Sequence, residues 1–191
     1  PRYVPRDVAQ AIARGIPPTV TKVGVFVNAT ADEVLAACDE VGLDAVQLHG
    51  DEAPQMVRQL AERRLIKAFR CTRADLEQVT KYLSACEAAG VRLAAVLIDA
   101  CQSGSYGGTG QIAEWPLVRG LHAMPIALPV ILAGGLRPEN VAAAIEATRA
   151  AAVDTASGVE SSPGRKDRQR VRQFVRNAQA AFESVASQDC G

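Results

Sequence analysis

Aromatic residues are scarce in this sequence, and long runs of a single charge are missing. Phe, Trp and Tyr make up 4% of the 191 residues, so the core has to be built mainly from Ala, Val, Leu and Ile. The 21 basic and 21 acidic residues cancel to a net charge of zero, and no run of like charges is longer than Arg63-Arg64. A nucleic-acid-binding protein needs a basic surface. We therefore expect neither a nucleic acid nor an anionic membrane as a partner.

Signals for membrane insertion, secretion and metal binding are also lacking. The longest apolar stretch, residues 121–136, is shorter than a membrane span and is interrupted by Pro125 and Pro129. The chain starts at Pro1 without the basic and apolar regions of a secretory signal. Its five cysteines are odd in number and form no Cys-x-x-Cys pair, which disfavours disulfides and zinc. These features predict a cytoplasmic protein with free thiols.

Short apolar strands alternate with amphipathic helical segments along the chain. Strands are predicted at residues 22–27, 45–49, 65–70, 93–99, 128–133 and 152–157, and several read as parallel strands covered on both faces. Helices are predicted at residues 5–14, 31–41, 54–63, 73–89, 138–149 and 167–185. Such an alternation is typical of a (β/α)8 barrel or of a doubly wound sheet. Glycine-rich turns follow the last strands rather than the first, which favours the barrel.

Two glycine-containing loops follow the last two predicted strands. Gly134 and Gly135 precede a predicted helix, and Ser157 and Gly158 end the next strand. Backbone N–H groups at such a turn can hold a phosphate without a cation. A lone Gly-Gly pair is more often only a tight turn, but two such loops on consecutive strands favour a phosphate site.

Asp99 ends an apolar strand, at the edge of a barrel where active sites lie. A carboxylate there is poorly solvated unless it is paired, so Asp99 is a candidate proton donor. The alternative is an aspartate that caps the next loop. The glycine-rich segment 105–110 favours the functional interpretation, because such a loop could fold over a ligand.

His49 and Lys67 are the remaining candidates on the early strands. His49 shares a strand face with Gln47, and an active-site role is as plausible as that of a satisfied core histidine. Lys67 could in principle form a Schiff base. It has no evident partner in the sequence, so we expect a structural or solvating lysine.

Six sequence segments are distinctive in composition, order and spacing. They are residues 22–28 (KVGVFVN), 44–52 (DAVQLHGDE), 66–69 (IKAF), 106–110 (YGGTG), 132–141 (LAGGLRPENV) and 157–164 (SGVESSPG). Together they resemble the phosphoribosylanthranilate isomerase family over essentially the whole chain. The resemblance implies a (β/α)8 TIM barrel that converts N-(5-phosphoribosyl)anthranilate to 1-(2-carboxyphenylamino)-1-deoxyribulose 5-phosphate. This is an Amadori rearrangement of tryptophan biosynthesis that uses no cofactor and no metal.

The resemblance also implies roles for individual residues. Asp99 matches the general acid that protonates the furanose ring oxygen. Arg2 matches the arginine that binds the anthranilate carboxylate, and His49 and Asp154 match polar residues that line the site. The ligand and phosphate loops correspond to Gly107, Gly108, Gly134, Gly135, Ser157 and Gly158. The expected partner is a small-molecule phosphoribosyl substrate, and the expected assembly is a monomer or a homodimer.

The chain departs from the family pattern at three places. Thr155 and Ala156 stand where the family usually has Val-Ser, which loses one hydroxyl near the phosphate. Gln111 stands where the family has a lysine, which removes a cation from a loop. The Lys-Ile-Cys-Gly strand that supplies the family's general-base cysteine does not occur, and none of the five cysteines replaces it by motif.

The length gives a further expectation. A typical barrel of this class has about 250 residues, whereas the chain has 191. We expect residues 1–191 to form one barrel domain, truncated at the N-terminus and lacking the first strand, first helix and second strand. General bases contribute about 10²–10⁴-fold to rates, so the chain by itself should be a weak isomerase. The alternatives are a noncatalytic phosphate-binding barrel fragment and another barrel enzyme that acts on a phosphorylated sugar.

Overall fold

The computed structural model describes residues 3–70, 76–99 and 128–189. The chain divides into two compact units, and each is described by itself. The first unit comprises Pro1–Phe69 and Glu77–Val96, and the second comprises Arg70–Leu76 and Leu97–Gly191.

The first unit alternates helices and strands in chain order. Its elements are α1 (Arg6–Arg14), β1 (Val23–Phe26), α2 (Ala31–Val41), β2 (Ala45–Leu48), α3 (Pro54–Arg58), β3 (Leu65–Arg70), α4 (Leu76–Ala88) and the start of β4 (Ala95–Asp99). β1 pairs in parallel with β2, and β2 pairs in parallel with β3. The predicted alternation of strands and helices is therefore confirmed in this unit.

The core of the first unit lies around β2 and β3. In β2, Val46 and Leu48 are fully buried, and so is Leu65 at the start of β3. Ala45 points to the opposite face from Val46 and Leu48 and is also buried, so the start of this strand is covered on both sides. The side chain of Val34 on α2 is also fully buried.

β1 has a different environment from β2. Val23 and Val25 are exposed, as is Val27 just after the strand, although the sequence of this segment is almost as apolar as that of β2. The described residues cover these side chains only in part, with 39% of Val23 and 59% of Val25 exposed. Local hydropathy thus predicts the strand correctly, but its burial depends on which elements pack against it.

The second unit contains the rest of β4 and the later elements. They are β5 (Val130–Ala133), α5 (Val141–Thr148), β6 (Ala152–Val153), a 3₁₀ turn (Ser157–Val159), β7 (Glu160–Ser162), β8 (Arg165–Lys166) and α6 (Arg168–Asp189). β5 pairs in parallel with β6, and β7 pairs antiparallel with β8. α5 packs against α6. Phe174 and Ala178, one helical turn apart on α6, are buried, as their spacing predicts.

The predicted elements differ from the observed ones mainly at their ends. The strand predicted at 152–157 is only Ala152–Val153, because Ser157–Val159 turns as a 3₁₀ helix instead. The helix predicted at 54–63 stops at Arg58, whereas the last helix continues to Asp189. The hairpin of β7 and β8 was missed, because its strands are only three and two residues long. Among the described residues, no helix is long and apolar enough to cross a bilayer.

α2 has a well-defined start and end. The Thr30 hydroxyl oxygen accepts a hydrogen bond from the Glu33 amide, and the Glu33 carboxylate accepts one from the Thr30 amide, which completes a capping box. That hydrogen bond from the Thr30 amide is the main reason why the pKa of Glu33 lies below its usual value. The helix ends at Gly42, whose φ of 70° is left-handed and therefore suits glycine.

We predict that Thr30→Ala lowers the free energy of unfolding by about 1 kcal/mol, because it removes the N-terminal cap of α2. Urea titration followed by circular dichroism measures the change. Thr19→Ala, in an exposed turn, is the matched control and should stay within about 0.5 kcal/mol of the parent. Equal effects of the two substitutions would show that the cap contributes nothing.

Candidate functional site

The carboxylate of Glu52 connects the segments that follow β1 and β2 with Lys67 in the middle of β3. Its Oε1 accepts hydrogen bonds from the amide of Asn28 (2.9 Å) and from the amide of Gly50 (3.0 Å). Its Oε2 accepts from Nζ of Lys67 at 3.0 Å. Both charged side chains are almost inaccessible, with 1% of Glu52 and 3% of Lys67 exposed. A buried charge of each sign is thus neutralised by the other.

The ammonium group of Lys67 donates hydrogen bonds to three acceptors. Besides Glu52 it donates to the carbonyl oxygens of Gly50 (2.6 Å) and Leu48 (3.4 Å). The rings of Phe69 and Tyr82 lie with their centroids 5.4 and 5.6 Å from Nζ, within cation–π range. Of the two roles expected for Lys67, structural or solvating, these buried contacts favour the structural one, and they supply the partner that was not evident in the sequence. This partner lies 15 residues away in the chain, on a neighbouring loop that no local pattern connects to Lys67.

The surroundings of Glu52 hold it in its charged form. Burial raises the pKa of this carboxyl group, but hydrogen bonds from the Asn28 amide and from Lys67 outweigh burial and bring the pKa below its usual value. Tyr82 donates its hydroxyl to the backbone oxygen of Glu52 at 2.7 Å. Burial raises the pKa of the Tyr82 phenol, so this group remains a donor over the physiological range.

His49 follows β2 directly and is half-buried. The side-chain nitrogen of Gln47 lies 2.9 Å from Nδ1 of His49 and donates to it. The predicted shared face of these two residues is therefore confirmed, whereas the part that His49 plays in binding remains a prediction. The side chain of His49 makes further interactions beyond this one.

The loop after His49 is packed tightly against the end of β1. Asn28 has a left-handed φ of 53°, and its side-chain oxygen accepts from the Asp51 amide at 2.7 Å. A Cβ atom on Gly50 would lie 2.2 Å from that oxygen, so only glycine fits there. Sequence reasoning missed Asn28 and Glu52 as members of this network. The available signal was polar residues at two successive strand ends.

In the second unit the two glycine loops are in direct contact. Gly134 and Gly135 have left-handed φ values of 95° and 65°. The hydroxyl of Thr155 donates to the backbone oxygen of Leu136 at 2.7 Å. A Cβ atom on Gly158 would lie 1.8 Å from the same oxygen, which makes glycine obligatory at that position. The loops after β5 and β6 are therefore held side by side, as a shared phosphate site would require.

The turn before α5 is stabilised by Asn140. Its side-chain oxygen accepts from the Arg137 amide at 2.7 Å, and its side-chain nitrogen donates to the Gly135 oxygen at 3.2 Å. The Asn140 side chain therefore makes both of these hydrogen bonds within the loop. Ser157 is exposed at the start of the 3₁₀ turn, where its hydroxyl is accessible to a ligand.

The two aspartates predicted for the site lie at strand ends. Asp99 is the last residue of β4 and is half-buried. Asp154 follows β6 and is exposed, and its amide donates to the Leu132 oxygen at 2.8 Å, which continues the pairing of β6 with β5. Both aspartates take part in further interactions. Arg2, Gly107 and Gly108 lie outside the described residues.

Two of the five cysteines lie within the described residues. Cys38 and Cys86 are buried free thiols, and burial raises the pKa of each. A buried thiol with a raised pKa is a poor base and a poor nucleophile, so neither fits a role in catalysis. Cys71, Cys101 and Cys190 lie outside the described part of the chain. Within that part, no group of three His, Cys, Asp or Glu side chains could hold a metal ion.

We predict that Gly158→Ala lowers the free energy of unfolding by about 2 kcal/mol, because the added methyl group collides with the Leu136 carbonyl. Thermal or urea unfolding measures the loss. Gly15→Ala is the matched control, since a Cβ atom there meets only ordinary contacts at 3.4 Å. Equal stability of Gly158→Ala and the parent would contradict the close approach of the two loops.

We predict that Glu52→Gln lowers the free energy of unfolding by about 3 kcal/mol at pH 7, because it leaves Lys67 buried without a counterion. The difference from the parent should be fully present above the ordinary carboxyl pKa of about 4.3 and should shrink as the pH falls through the lower pKa of folded Glu52. Urea titrations between about pH 3 and pH 7 measure this difference in the free energy of unfolding. A difference that stays constant over this range would refute the assignment of a stabilising charge to Glu52.

Comparisons with known proteins agree with these features. A family model described as N-(5'-phosphoribosyl)anthranilate (PRA) isomerase matches residues 1–177. A curated relative from Geobacter metallireducens, named N-(5'-phosphoribosyl)anthranilate isomerase, is 44% identical over 94% of this chain and 83% of its own length. The solved phosphoribosyl anthranilate isomerase of Thermotoga maritima is 36% identical and superposes with a TM-score of 0.81, covering 93% of this chain and 82% of that one.

A second solved structure shows such an enzyme with a ligand. It is a phosphoribosyl anthranilate isomerase in complex with reduced 1-(o-carboxyphenylamino)-1-deoxyribulose 5-phosphate, 34% identical, with a TM-score of 0.76 over 93% of this chain and 81% of that one. The fold class is accordingly α/β of the (β/α)8-barrel type, with six of the strands recognisable here. The chain belongs to the N-(5'-phosphoribosyl)anthranilate isomerase family.

Proposed function

We propose that this chain is an N-(5'-phosphoribosyl)anthranilate isomerase, an enzyme of tryptophan biosynthesis. Its reaction is the Amadori rearrangement of the phosphoribosyl adduct to 1-(2-carboxyphenylamino)-1-deoxyribulose 5-phosphate. The observation that carries the proposal is the match of the family to residues 1–177. The contact between the two glycine loops of the second unit supports it, because the substrate has one phosphate group to hold.

In this proposal Asp99 is the general acid. It donates a proton to the furanose ring oxygen, the bond between that oxygen and C1 breaks, and the nitrogen lone pair forms an iminium bond to C1. A base then removes the proton from C2 to give an enolamine, which tautomerises to the ketone. The position of Asp99 at the end of an apolar strand supports its role, since a half-buried carboxyl group has few competing water molecules. No cysteine of the sequence matches the family's base by motif.

The substrate phosphate is proposed to bind at the loops after β5 and β6. Gly134 and Gly135 have left-handed φ values in the turn that leads to α5, and backbone N–H groups near the start of a helix favour an anion. Ser157 adds a hydroxyl group and Gly158 a further amide. The Thr155 hydroxyl is already bound to the Leu136 carbonyl, so it joins the loops rather than replacing the hydroxyl lost at Ala156. Gly107 and Gly108 are proposed to contact the ligand from the glycine-rich segment.

The anthranilate and ribosyl groups are proposed to contact Arg2, His49 and Asp154. A guanidinium group suits the anthranilate carboxylate, because its paired donors match the two oxygens. The half-buried imidazole of His49 and the exposed carboxyl group of Asp154 can bind ribosyl hydroxyls. The proposed assembly is a monomer or a homodimer, which analytical ultracentrifugation distinguishes.

We predict that the chain consumes the fluorescent adduct, generated in the cuvette from anthranilate and phosphoribosyl pyrophosphate, at the low rate expected of a chain in which no cysteine matches the family's base. Asp99→Asn should lower this rate by about 100-fold or more. Asp7→Asn, at an exposed position in α1, is the control and should leave the rate unchanged. Calorimetry with the reduced product analogue measures binding independently of turnover.

Each result bears on the proposal. Binding of the analogue together with turnover that depends on Asp99 supports the proposed function. Binding without any turnover would instead identify a noncatalytic phosphate-binding protein. Absence of both binding and turnover would overturn the proposal altogether.

A further inference from the structure

We propose that Glu52 and Lys67 are positioning residues, which hold the loop of residues 49–52 and through it fix the direction of the His49 imidazole. This inference rests on the proposed function only in assigning His49 to the substrate site. The buried ion pair belongs entirely to the first unit, and all the contacts used below lie within that unit.

Stability alone is a poor explanation for the buried ion pair of Glu52 and Lys67. Burying two charges costs several kcal/mol per ion, and a well-packed apolar pair of similar size is often as stable or more so. Here 1% of the Glu52 side chain and 3% of the Lys67 side chain are exposed, so this cost is close to its maximum. An apolar pair would lack the hydrogen bonds that these charges make. The geometry of those hydrogen bonds is therefore the property that distinguishes the ion pair from an apolar one.

The ion pair binds the Gly50 backbone at both its amide and its carbonyl group. The Gly50 amide donates to both carboxylate oxygens of Glu52, at 3.0 and 3.1 Å, and the Gly50 carbonyl accepts from Lys67 at 2.6 Å. Asp51 is tied through its amide to Asn28, whose own amide is bound by Glu52. The backbone that follows His49 therefore has little freedom to rotate.

Hydrogen bonds of His49 connect the loop of residues 49–52 to the direction of the imidazole. The His49 amide donates to the Phe26 carbonyl at 2.8 Å, and the Gln47 side chain donates to Nδ1 at 2.9 Å. With Gly50 clamped on the other side, the Cα–Cβ direction of His49 is determined by contacts that precede and follow it. A displacement of about 1 Å in a group that meets the substrate can cost about 10²-fold in rate. The pair thus acts on the reaction through His49 without touching the substrate.

The test compares the double variant Glu52→Gln/Lys67→Met with Glu77→Gln/Lys81→Met. The second variant makes the same chemical changes at an exposed ion pair of α4, with its atoms 2.8 Å apart. The double variant removes both buried charges at once, which avoids leaving one of them without a counterion. Tyr82→Phe is the milder variant: it keeps both buried charges and removes the Tyr82 hydroxyl, which donates to the Glu52 carbonyl and also interacts with the Cys86 side chain.

Two readouts are combined for every variant. The ring signals of His49 are followed by proton–nitrogen correlation spectra, and His122→Gln assigns them because the chain has two histidines. The values of kcat and KM are measured with the fluorescent adduct. We expect the double variant to move the His49 ring signals and to lower kcat/KM by about 10- to 100-fold. We expect Tyr82→Phe to move the same signals less, and the control at α4 to change neither readout.

The outcomes separate this inference from the proposed function. The inference is overturned if the double variant and Tyr82→Phe only lower stability while the His49 signals and kcat/KM stay within twofold of the parent. It is also overturned if kcat/KM falls without any movement of the His49 signals. If the double variant does not fold, Tyr82→Phe alone decides between these outcomes. If the parent chain neither binds the reduced analogue nor turns over the adduct, the proposed function fails, and unmoved His49 signals would still overturn the positioning role.

Discussion

A buried pair of opposite charges holds the carboxyl ends of β1 and β2 against the neighbouring strand β3. Glu52 accepts hydrogen bonds from Asn28 after β1, from Gly50 after β2 and from Lys67 within β3. Strand ends expose backbone groups that need partners when they are shielded from water. One carboxylate and one ammonium group satisfy several of these at once, and the interaction is strong because water is largely excluded. The shape of the loop that carries His49 follows from this arrangement.

In the second unit, neighbouring loops are held together without a buried charge. Its two glycine loops approach each other until the Gly158 backbone touches the Leu136 carbonyl, and the Thr155 hydroxyl bridges the remaining gap. Glycine is needed at this contact because a side chain would separate the loops. The proposed phosphate site lies at this contact, because backbone N–H groups near the start of a helix can hold an anion.

Much of the fold follows from local patterns. Apolar periodicity predicts strands β1 to β6 and the described helices. Motifs such as QLHGDE and LAGGLRPENV carry the family resemblance. The hairpin of Glu160–Ser162 and Arg165–Lys166 was missed, because strands of two or three residues leave no periodic signal. In β1, Val23 and Val25 are exposed despite their apolar sequence. Burial depends on the neighbours that pack against a strand, and hydropathy does not specify these.

The sequence by itself determined the fold class, the family and the two glycine loops, because these depend on residue types at short spacing. Only the tertiary structure showed that Lys67 has Glu52 as its partner and that Thr155 is bound to Leu136. These pairs join residues that are 15 and 19 positions apart in the chain. Their contacts arise when neighbouring parallel strands bring these segments together. Sequence patterns assign Lys67 and Thr155 to strands and the other two residues to segments that follow strands, but the distances between them come from packing.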